Sequence, residues 1–326
     1  FPKMNEIVLL QNTSGGQNLT VGEKRPAINP AHLYLATLSK GRSQQNVARI
    51  LNQIARFFGW ANLDQCSWQR IGYPEIVLLK NRLNEEGKAP STINLRISLL
   101  KGVAFQSWAQ GLIDDHTWMT IKSIKGVRGS RIEKGRALQR KEMAKLVFHC
   151  EEEKTLIGIR DAAIFMLGAG CGFRRAEIVN LCLDGVDKVN RSVRVIGKGN
   201  KERLVLCSDT VWDYLSKWLF YREKVLELGI PNVFCVIYKG QHIDTSRPLT
   251  ESAVYAMLKN RAAESEVQTF TPHDLRRTFA TRLFENGNDA NIVRENMGHS
   301  SILTTQRYDK RDKERALRAT RDIHVI

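Results

Sequence analysis

The sequence has no long apolar segment and no paired cysteine motif, and both absences narrow what the protein can be. None of its hydrophobic runs reaches the roughly 18 residues that a membrane-spanning helix needs, and no secretory signal opens it. Its six cysteines contain no C-x-x-C pair, so no structural zinc site or disulfide framework is indicated. We therefore expect a cytoplasmic protein with reduced thiols and no membrane partner.

Acidic residues are scarce relative to basic ones. The chain has 50 lysines and arginines against 34 aspartates and glutamates among 326 residues, which gives a net charge of +16. This excess indicates a polyanionic partner, and DNA, RNA or an acidic membrane would each satisfy it. Hydrophobic residues make up 42% of the chain, so one or two folded domains are expected rather than a disordered chain.

The first 136 residues are predicted to form a lead-in, a helical domain and a linker. Residues 1–30 carry Gly15-Gly16 and several polar residues, which favours a flexible lead-in. Apolar residues then recur at helical spacing, so residues 31–123 are expected to form a helical bundle. Residues 124–136 contain three glycines and five basic residues, a composition typical of a linker.

One helix of this bundle can be predicted in more detail. Ser91 follows Pro90 and is predicted to be its N-cap. Leu95, Leu99 and Val103 are predicted to share its apolar face.

The second domain, residues 137–326, is predicted to be mainly helical with one β-hairpin. Val193 and Val195 alternate with polar residues before a glycine-rich turn, and the apolar run Leu204–Leu206 follows that turn. Helical patterns then continue into a C-terminal tail.

Four short segments of the second domain carry the residues that suggest a chemistry. They are Cys171–Glu177 (CGFRRAE), Gly197–Arg203 (GKGNKER), Thr271–Thr281 (TPHDLRRTFAT) and Gly298–Tyr308 (GHSSILTTQRY). They are rich in basic residues and contain no carboxylate cluster suited to divalent metal ions. The pattern predicts a cationic site for an anion, with no metal ion and no cofactor.

These segments resemble the signature motifs of the tyrosine recombinase (phage integrase) family, in the family's order. The spacing is that of Xer-type members: Lys198 follows Arg174 by 198 − 174 = 24 residues, and Tyr308 follows His299 by 308 − 299 = 9. The resemblance covers most of the second domain, and the helical first domain fits the family's SAM-like core-binding domain. It implies a mainly α fold with a small antiparallel β-sheet, in which the two domains form a C-shaped clamp on DNA.

Phosphodiester transfer places negative charge on the non-bridging oxygens of the phosphate. Guanidinium groups suit that charge because they are always ionised and donate two parallel hydrogen bonds. Arg174 and Arg276 are the candidates, and the family motif selects Arg276 over its neighbour Arg277. His299 is expected to brace the same phosphate by a hydrogen bond.

Tyr308 is the expected nucleophile, and it needs help because a phenol with a pKa near 10 is weakly ionised at neutral pH. His273 is the candidate base. Lys198 on the hairpin turn is the candidate general acid for the leaving 5′-oxygen, with Lys201 as the runner-up. Glu177 is expected to orient one of these groups by hydrogen bonding.

The resemblance also implies partners. A homotetramer would hold two double-stranded DNA recombination sites and exchange strands through a 3′-phosphotyrosine and a Holliday junction. The apolar end Ile323–Ile326 is predicted to dock on a neighbouring protomer, with docking on its own domain as the alternative. Residues predicted to contact DNA outside the catalytic set are Arg96, Lys101, Arg128, Arg131 and Lys201.

Several functions remain open on the sequence alone. Integration and excision of a mobile element is favoured, because Arg277 stands where many relatives carry histidine. Xer-type resolution of chromosome or plasmid dimers is the alternative. A type IB topoisomerase, a DNA-binding protein without catalysis and an RNA-binding protein are further alternatives. In a bacterium, each DNA-directed role would place the protein at the nucleoid.

Overall fold

The structure, a computed structural model, divides the chain into two compact units, residues 1–132 and 133–326. It describes residues 27–38, 41–129, 135–197, 201–225, 229–238, 240–298, 302, 305, 308 and 309. The predicted lead-in before residue 27, Arg131 and the tail after residue 309 lie outside these described residues.

The first unit is helical. Its helices are α1 (Pro30–Ala36), α2 (Arg42–Phe57), α3 (Tyr73–Glu85), α4 (Pro90–Ala109) and α5 (Asp115–Ser123). Helix α4 packs against the other four, and its Ile93, Leu100 and Val103 are almost completely buried. The helical character predicted for residues 31–123 is confirmed.

Two details predicted for α4 are wrong. The N-cap is Ala89 and Pro90 is the first helical residue, because proline lacks the N–H that the first turn leaves unpaired. Ser91 therefore lies inside the first turn. Leu99 and Val103 are buried as predicted, but Leu95 is 44% exposed on the outer side of the helix.

The second unit is mainly helical with two small antiparallel sheets. Its elements are α6 (Arg140–Glu152), α7 (Leu156–Gly170), α8 (Arg175–Val179), β1 (Val186–Asp187), β2 (Ser192–Ile196), β3 (Glu202–Leu206), α9 (Asp209–Glu223), β4 (Cys235–Ile237), β5 (Ile243–Pro248), α10 (Glu251–Glu264), α11 (Pro272–Glu285) and α12 (Ala290–Met297). Strand β2 pairs with β1 and β3, and β4 pairs with β5. The predicted fold class and hairpin are confirmed. Among the described residues, no helix has the length and apolarity needed to cross a membrane.

Helix α7 is the centre of the second unit. Residues 162–165 are buried on every side, because α6, α9 and α11 all pack against this helix. A Cβ atom at Gly168 would come within 2.9 Å of Leu275 Cδ1, so α11 approaches α7 at a distance that only glycine permits. This approach fixes the position of the residue after Leu275, which is Arg276.

Gly172 turns the chain from α7 toward α8. Its φ of +65° is in the left-handed region, and an added Cβ would lie 2.3 Å from Phe279 Cδ1 on α11. Both the backbone conformation and the close approach therefore require glycine.

We predict that Gly172→Ala destabilises the second unit more than Gly287→Ala does. Gly287 also has a positive φ, but its Cβ would meet nothing within 4 Å. Backbone strain should cost about 1–2 kcal/mol at either position, and overlap with Phe279 should add about 1–3 kcal/mol at Gly172. Urea unfolding of the two variants measures the difference. Equal losses of unfolding free energy in the two variants would show that Phe279 can move away from an added Cβ at no cost.

Candidate active site

The predicted catalytic residues that the structure describes come together near the N-terminal end of α11. The described members of the predicted set are Arg174, Glu177, His273, Arg276 and Tyr308, while Lys198 and His299 lie outside the described residues. Their neighbours are described. A Cβ at Gly197 would lie 3.6 Å from Arg174 Nη1, and the Gly298 carbonyl accepts a 3.1 Å hydrogen bond from Arg174 Nη2. The backbone that leads into both residues therefore lies beside Arg174.

Arg174 is held by the residue three positions after it. Arg174 is the N-cap of α8, and Glu177 accepts its backbone N–H at 2.8 Å, as in a capping box. The other oxygen of Glu177 accepts Arg174 Nη1 at 2.6 Å. Glu177 is only 2% exposed in its side chain, whereas Arg174 is 32% exposed. The guanidinium is thus fixed on one side and open to solvent on the other.

Arg276 is the most deeply buried cation of the site. It projects from α11 and donates to the carbonyl oxygens of Gly172 and Met297. Its side chain is 3% exposed, and Nη1 lies 3.9 Å from Glu177 Oε2. Burial, and then the positive charge of Arg174, lower the pKa of Arg276 to about 9. A negative ligand would therefore stabilise the charged form of Arg276.

Glu177 also binds an arginine that the sequence prediction missed. Arg203 on β3 donates Nη1 to Oε1 at 2.9 Å and Nη2 to Oε2 at 2.8 Å of the carboxylate. Burial alone would raise the pKa of Glu177, but the hydrogen bonds from Arg203 and Arg174 outweigh it and lower the pKa to about 2. Strand alternation is the signal that could have revealed Arg203, because it shares the inward face of β3 with buried Val205.

The charges at this site do not balance. Among the described residues, Glu177 is the carboxylate that ion-pairs with Arg174, Arg203 and Arg276. Three guanidinium groups and one carboxylate leave an excess of two positive charges in a partly buried place. Such fixed charge favours a doubly negative or developing anion, since the groups need no reorganisation when it arrives.

Tyr308 lies in an apolar cluster formed by α11 and α12. The cluster members are Ala280, Phe284, Val293, Met297 and Tyr308 itself. Tyr308 is 4% exposed, and its hydroxyl is 3.1 Å from His273 Nε2, within hydrogen-bond distance. The Arg277 guanidinium lies 5.3 Å from the centre of the Tyr308 ring. This distance is within the range of a cation–π contact, so Arg277 packs against Tyr308 while Arg276 lies beside Glu177.

Lys101 has a contact that the sequence prediction did not include. Its ammonium donates to the carbonyl oxygens of Lys122 at 2.8 Å and Ile124 at 2.7 Å. It therefore satisfies carbonyl groups at the C-terminal end of α5, where positive charge is favoured. Its contact with DNA stays a prediction.

Three other predicted DNA-contact residues, Arg96, Arg128 and Lys201, are partly or fully exposed. Arg96 donates to Gln53 Oε1 at 3.1 Å in an exposed bond, and Arg128 and Lys201 are exposed. Their contact with DNA also stays a prediction.

One group of potential metal ligands lies elsewhere, on α6, α10 and the turn after α6. Within the described residues, ligand atoms of His149, Glu153 and Glu264 converge to within 4.8 Å of one another. Both carboxylates are ion-paired with Arg261. Both carboxylates are thus already bound by a guanidinium, and we assign no metal ion to this group.

Comparison with known families identifies the family of the chain. The sequence model of the phage integrase family matches residues 136–315, more than half of the chain. The chain belongs to the phage integrase family. The model of the family's N-terminal SAM-like domain matches residues 31–110, within the helical first unit. The resemblance drawn from the four segments is confirmed.

Two curated relatives illustrate the extent of the similarity. The tyrosine recombinase XerD of Staphylococcus haemolyticus is 38% identical over 153 residues, 46% of this chain and 50% of that protein. XerD of Staphylococcus saprophyticus is 35% identical over 169 residues, 51% of this chain and 55% of that protein. This integrase-family chain spans about half the length of the curated relatives it matches.

Solved structures share the fold at lower identity. The Tn1549 transposon integrase in complex with a circular intermediate DNA has a TM-score of 0.62 at 18% identity, with 90% of this chain and 99% of that chain covered. XerH bound to a palindromic difH substrate has a TM-score of 0.61 at 21% identity, with 85% and 76% covered. A lambda integrase dimer bound to a core site has a TM-score of 0.60 at 16% identity, with 86% and 93% covered.

We predict that Glu177→Gln lowers the free energy of unfolding of the second unit by roughly 3–5 kcal/mol, because it leaves buried guanidinium groups without their carboxylate. Glu151→Gln is the matched control, since its 3.4 Å pair with Lys217 is exposed and should contribute about 0–1 kcal/mol. Urea denaturation measures both. A loss at Glu177 no larger than at Glu151 would contradict the role of the buried carboxylate.

Proposed function

We propose that this phage integrase family chain is a tyrosine site-specific recombinase that cuts and rejoins double-stranded DNA through Tyr308. The observation that supports this most strongly is the 3.1 Å contact between the Tyr308 hydroxyl and His273. His273 lies on the same helix as the buried Arg276. A nucleophile, a base and a fixed site for an anion thus occur together.

The phosphate is held by Arg174 and Arg276. Charge on its non-bridging oxygens grows as the phosphorus becomes five-coordinate, so donors fixed in advance lower the barrier. Both guanidiniums are held by carboxylate or carbonyl oxygens before DNA arrives. His299, which follows the Gly298 carbonyl, is proposed to add a further hydrogen bond to the phosphate.

Tyr308 attacks the phosphorus of the scissile phosphate. Its phenol proton passes to His273 Nε2 as the new bond between Tyr308 Oη and phosphorus forms. The bond between phosphorus and the 5′-oxygen breaks, and Lys198 gives a proton to that oxygen. The products are a 3′-phosphotyrosine and a free 5′-hydroxyl.

Rejoining reverses these steps. A 5′-hydroxyl from the partner strand attacks the phosphotyrosine and releases Tyr308. The phosphotyrosine conserves the energy of the cleaved bond, so no ATP is consumed. In this mechanism the charges are supplied by side chains, and no step is assigned to a metal ion or cofactor.

We propose that four copies assemble on two DNA sites and exchange strands in pairs through a Holliday junction. The apolar end Ile323–Ile326 is proposed to dock on a neighbouring protomer and so to control which tyrosines act together. The exposed basic residues and the net charge of +16 support DNA binding that weakens steeply with salt. A cytoplasmic location at the nucleoid follows from this partner.

Integration and excision of a mobile element is the role we favour, and Xer-type dimer resolution is the second candidate. The XerD relatives support the second, while Arg277 in the place of a histidine supports the first. A type IB topoisomerase is the less favoured reading. It would relax a supercoiled plasmid that lacks the chain's recombination site, whereas a recombinase should leave such a plasmid supercoiled.

We predict that Tyr308→Phe abolishes the covalent adduct with DNA while DNA binding is nearly unchanged, because only the hydroxyl is lost. The wild-type chain is first incubated with a pool of random nicked duplexes, and the DNA that stays bound after denaturation is sequenced. This captured duplex is then the substrate for the variant on a denaturing gel. Tyr255→Phe, an exposed tyrosine on α10, is the control and should form the adduct normally. An adduct on the Tyr308→Phe chain, or no capture by wild type, would contradict the proposal.

We predict that Lys198→Ala slows cleavage of the captured duplex by about 100-fold or more. The defect should nearly vanish when the leaving oxygen is replaced by sulfur in a 5′-bridging phosphorothiolate, since sulfur leaves without protonation. Lys201→Ala on the same turn is the comparison, and any defect it has should be equal on the two substrates. If sulfur relieved the defect of Lys201→Ala but not that of Lys198→Ala, then Lys201 rather than Lys198 would be the general acid.

A further inference from the structure

Arg203 contacts two other segments of the candidate site, Cys171–Glu177 and the start of Gly298–Tyr308. Its guanidinium binds both oxygens of Glu177, and its Cζ lies 5.7 Å from the centre of the Phe173 ring. A Cβ added to Gly298 would lie 3.2 Å from Arg203 Cδ, so the stem of Arg203 lines the turn that precedes His299. The side chain is only 12% exposed.

The contact geometry indicates how Arg203 acts. Two parallel N–H bonds to one carboxylate fix the plane of that carboxylate as well as its position. The same Oε1 atom that accepts Arg203 Nη1 also accepts Arg174 Nη1 at 2.6 Å. The direction in which Arg174 points therefore depends on the Glu177 plane, and through it on Arg203.

Arg203 is also anchored in the β2–β3 hairpin. It pairs with Val195 across the β2–β3 ladder, and the Gly197 N–H donates to the Lys201 carbonyl at 2.7 Å at the end of that ladder. A rigid strand thus carries Arg203, so its guanidinium has little freedom to follow a displaced carboxylate.

We propose that Arg203 is a positioning residue for DNA cleavage, which orients Arg174 toward the scissile phosphate by holding the Glu177 carboxylate in one plane. This inference rests on the proposed recombinase function and adds to it a residue outside the catalytic set. In this proposal Arg203 acts through the Glu177 carboxylate that it binds, and Arg174 is the group that contacts the phosphate.

Arginine is required at this position for its shape. A lysine would keep the positive charge but would offer a single ammonium donor in place of the planar pair. Arg203→Lys therefore removes orientation and keeps charge, which makes it the informative variant. Misplacement of a catalytic group by about 1 Å can cost about 100-fold in rate, and we expect a loss of this size for the cleavage step.

The experiment compares two substrates in single-turnover cleavage of the captured duplex. One has the normal scissile phosphodiester, and the other has a methylphosphonate, whose methyl group replaces one charged oxygen. The neutral substrate makes less demand on Arg174, so the Arg203→Lys defect of about 100-fold should fall to about a tenth of that or less. Both rates come from one protein sample, so a loss of folded protein cancels in their ratio.

Two controls separate positioning from simple stabilisation. Arg194→Lys changes an arginine on the adjacent strand β2, whose 3.4 Å pairs with Asp184 and Glu202 are exposed, and it should cleave both substrates at the wild-type rate. Adding Arg203→Lys to Glu177→Gln should produce little further loss, because residues that act through one contact are non-additive.

An equal Arg203→Lys defect on both substrates would overturn the proposal, because a purely structural role gives that result. Full additivity with Glu177→Gln, or wild-type cleavage by Arg203→Lys, would overturn it too. Failure of the wild-type chain to form any adduct would instead contradict the proposed function, so the two failures are distinguishable.

Discussion

The buried Glu177 carboxylate is the interaction on which the candidate site depends. A buried guanidinium is costly unless its charge is matched, and Glu177 matches the charge of the buried Arg203 and also holds the half-buried Arg174. It also lies 3.9 Å from Arg276. The single negative charge of Glu177 cannot neutralise three guanidinium groups. The excess positive charge therefore stays fixed in a site that is open on the Arg174 side. The same arrangement that stabilises the fold thus prepares a place for a phosphate.

The Glu177 carboxylate does not determine how deeply Arg276 is buried or where Tyr308 lies, and helix packing determines both. The glycine contacts between α7 and α11 set the depth of Arg276, which then bonds the Gly172 and Met297 carbonyls. Met297 is also a member of the apolar cluster that holds Tyr308. The positions of Arg276 and Tyr308 are therefore set by the same two helices, α11 and α12. A change in this packing would move both together.

Much of this site could be predicted from the sequence, because its motif residues lie at fixed spacings and several lie on one helix. His273, Arg276 and Tyr308 converge as the resemblance implied. Arg203 was missed because its partner Glu177 is 26 residues away in the sequence. The one local signal was that Arg203 lies on the inward face of its strand. The misassigned cap of α4 has a local cause, since Pro90 and Ser91 both suit a helix start. The exposure of Leu95 depends on which neighbours cover α4, and helical spacing alone does not give this.

In the proposed mechanism, Arg174 and Arg276 are preorganised to hold a phosphate in line with Tyr308. The test is a crystal structure of the chain with orthovanadate, which mimics a five-coordinate phosphate, and with the captured duplex synthesised without its scissile phosphate. We expect vanadium bonded to Tyr308 Oη, with both guanidiniums within hydrogen-bond distance of its equatorial oxygens and Glu177 still bound to Arg203. Vanadate bonded to another side chain, or held without contact to Arg174 and Arg276, would contradict it.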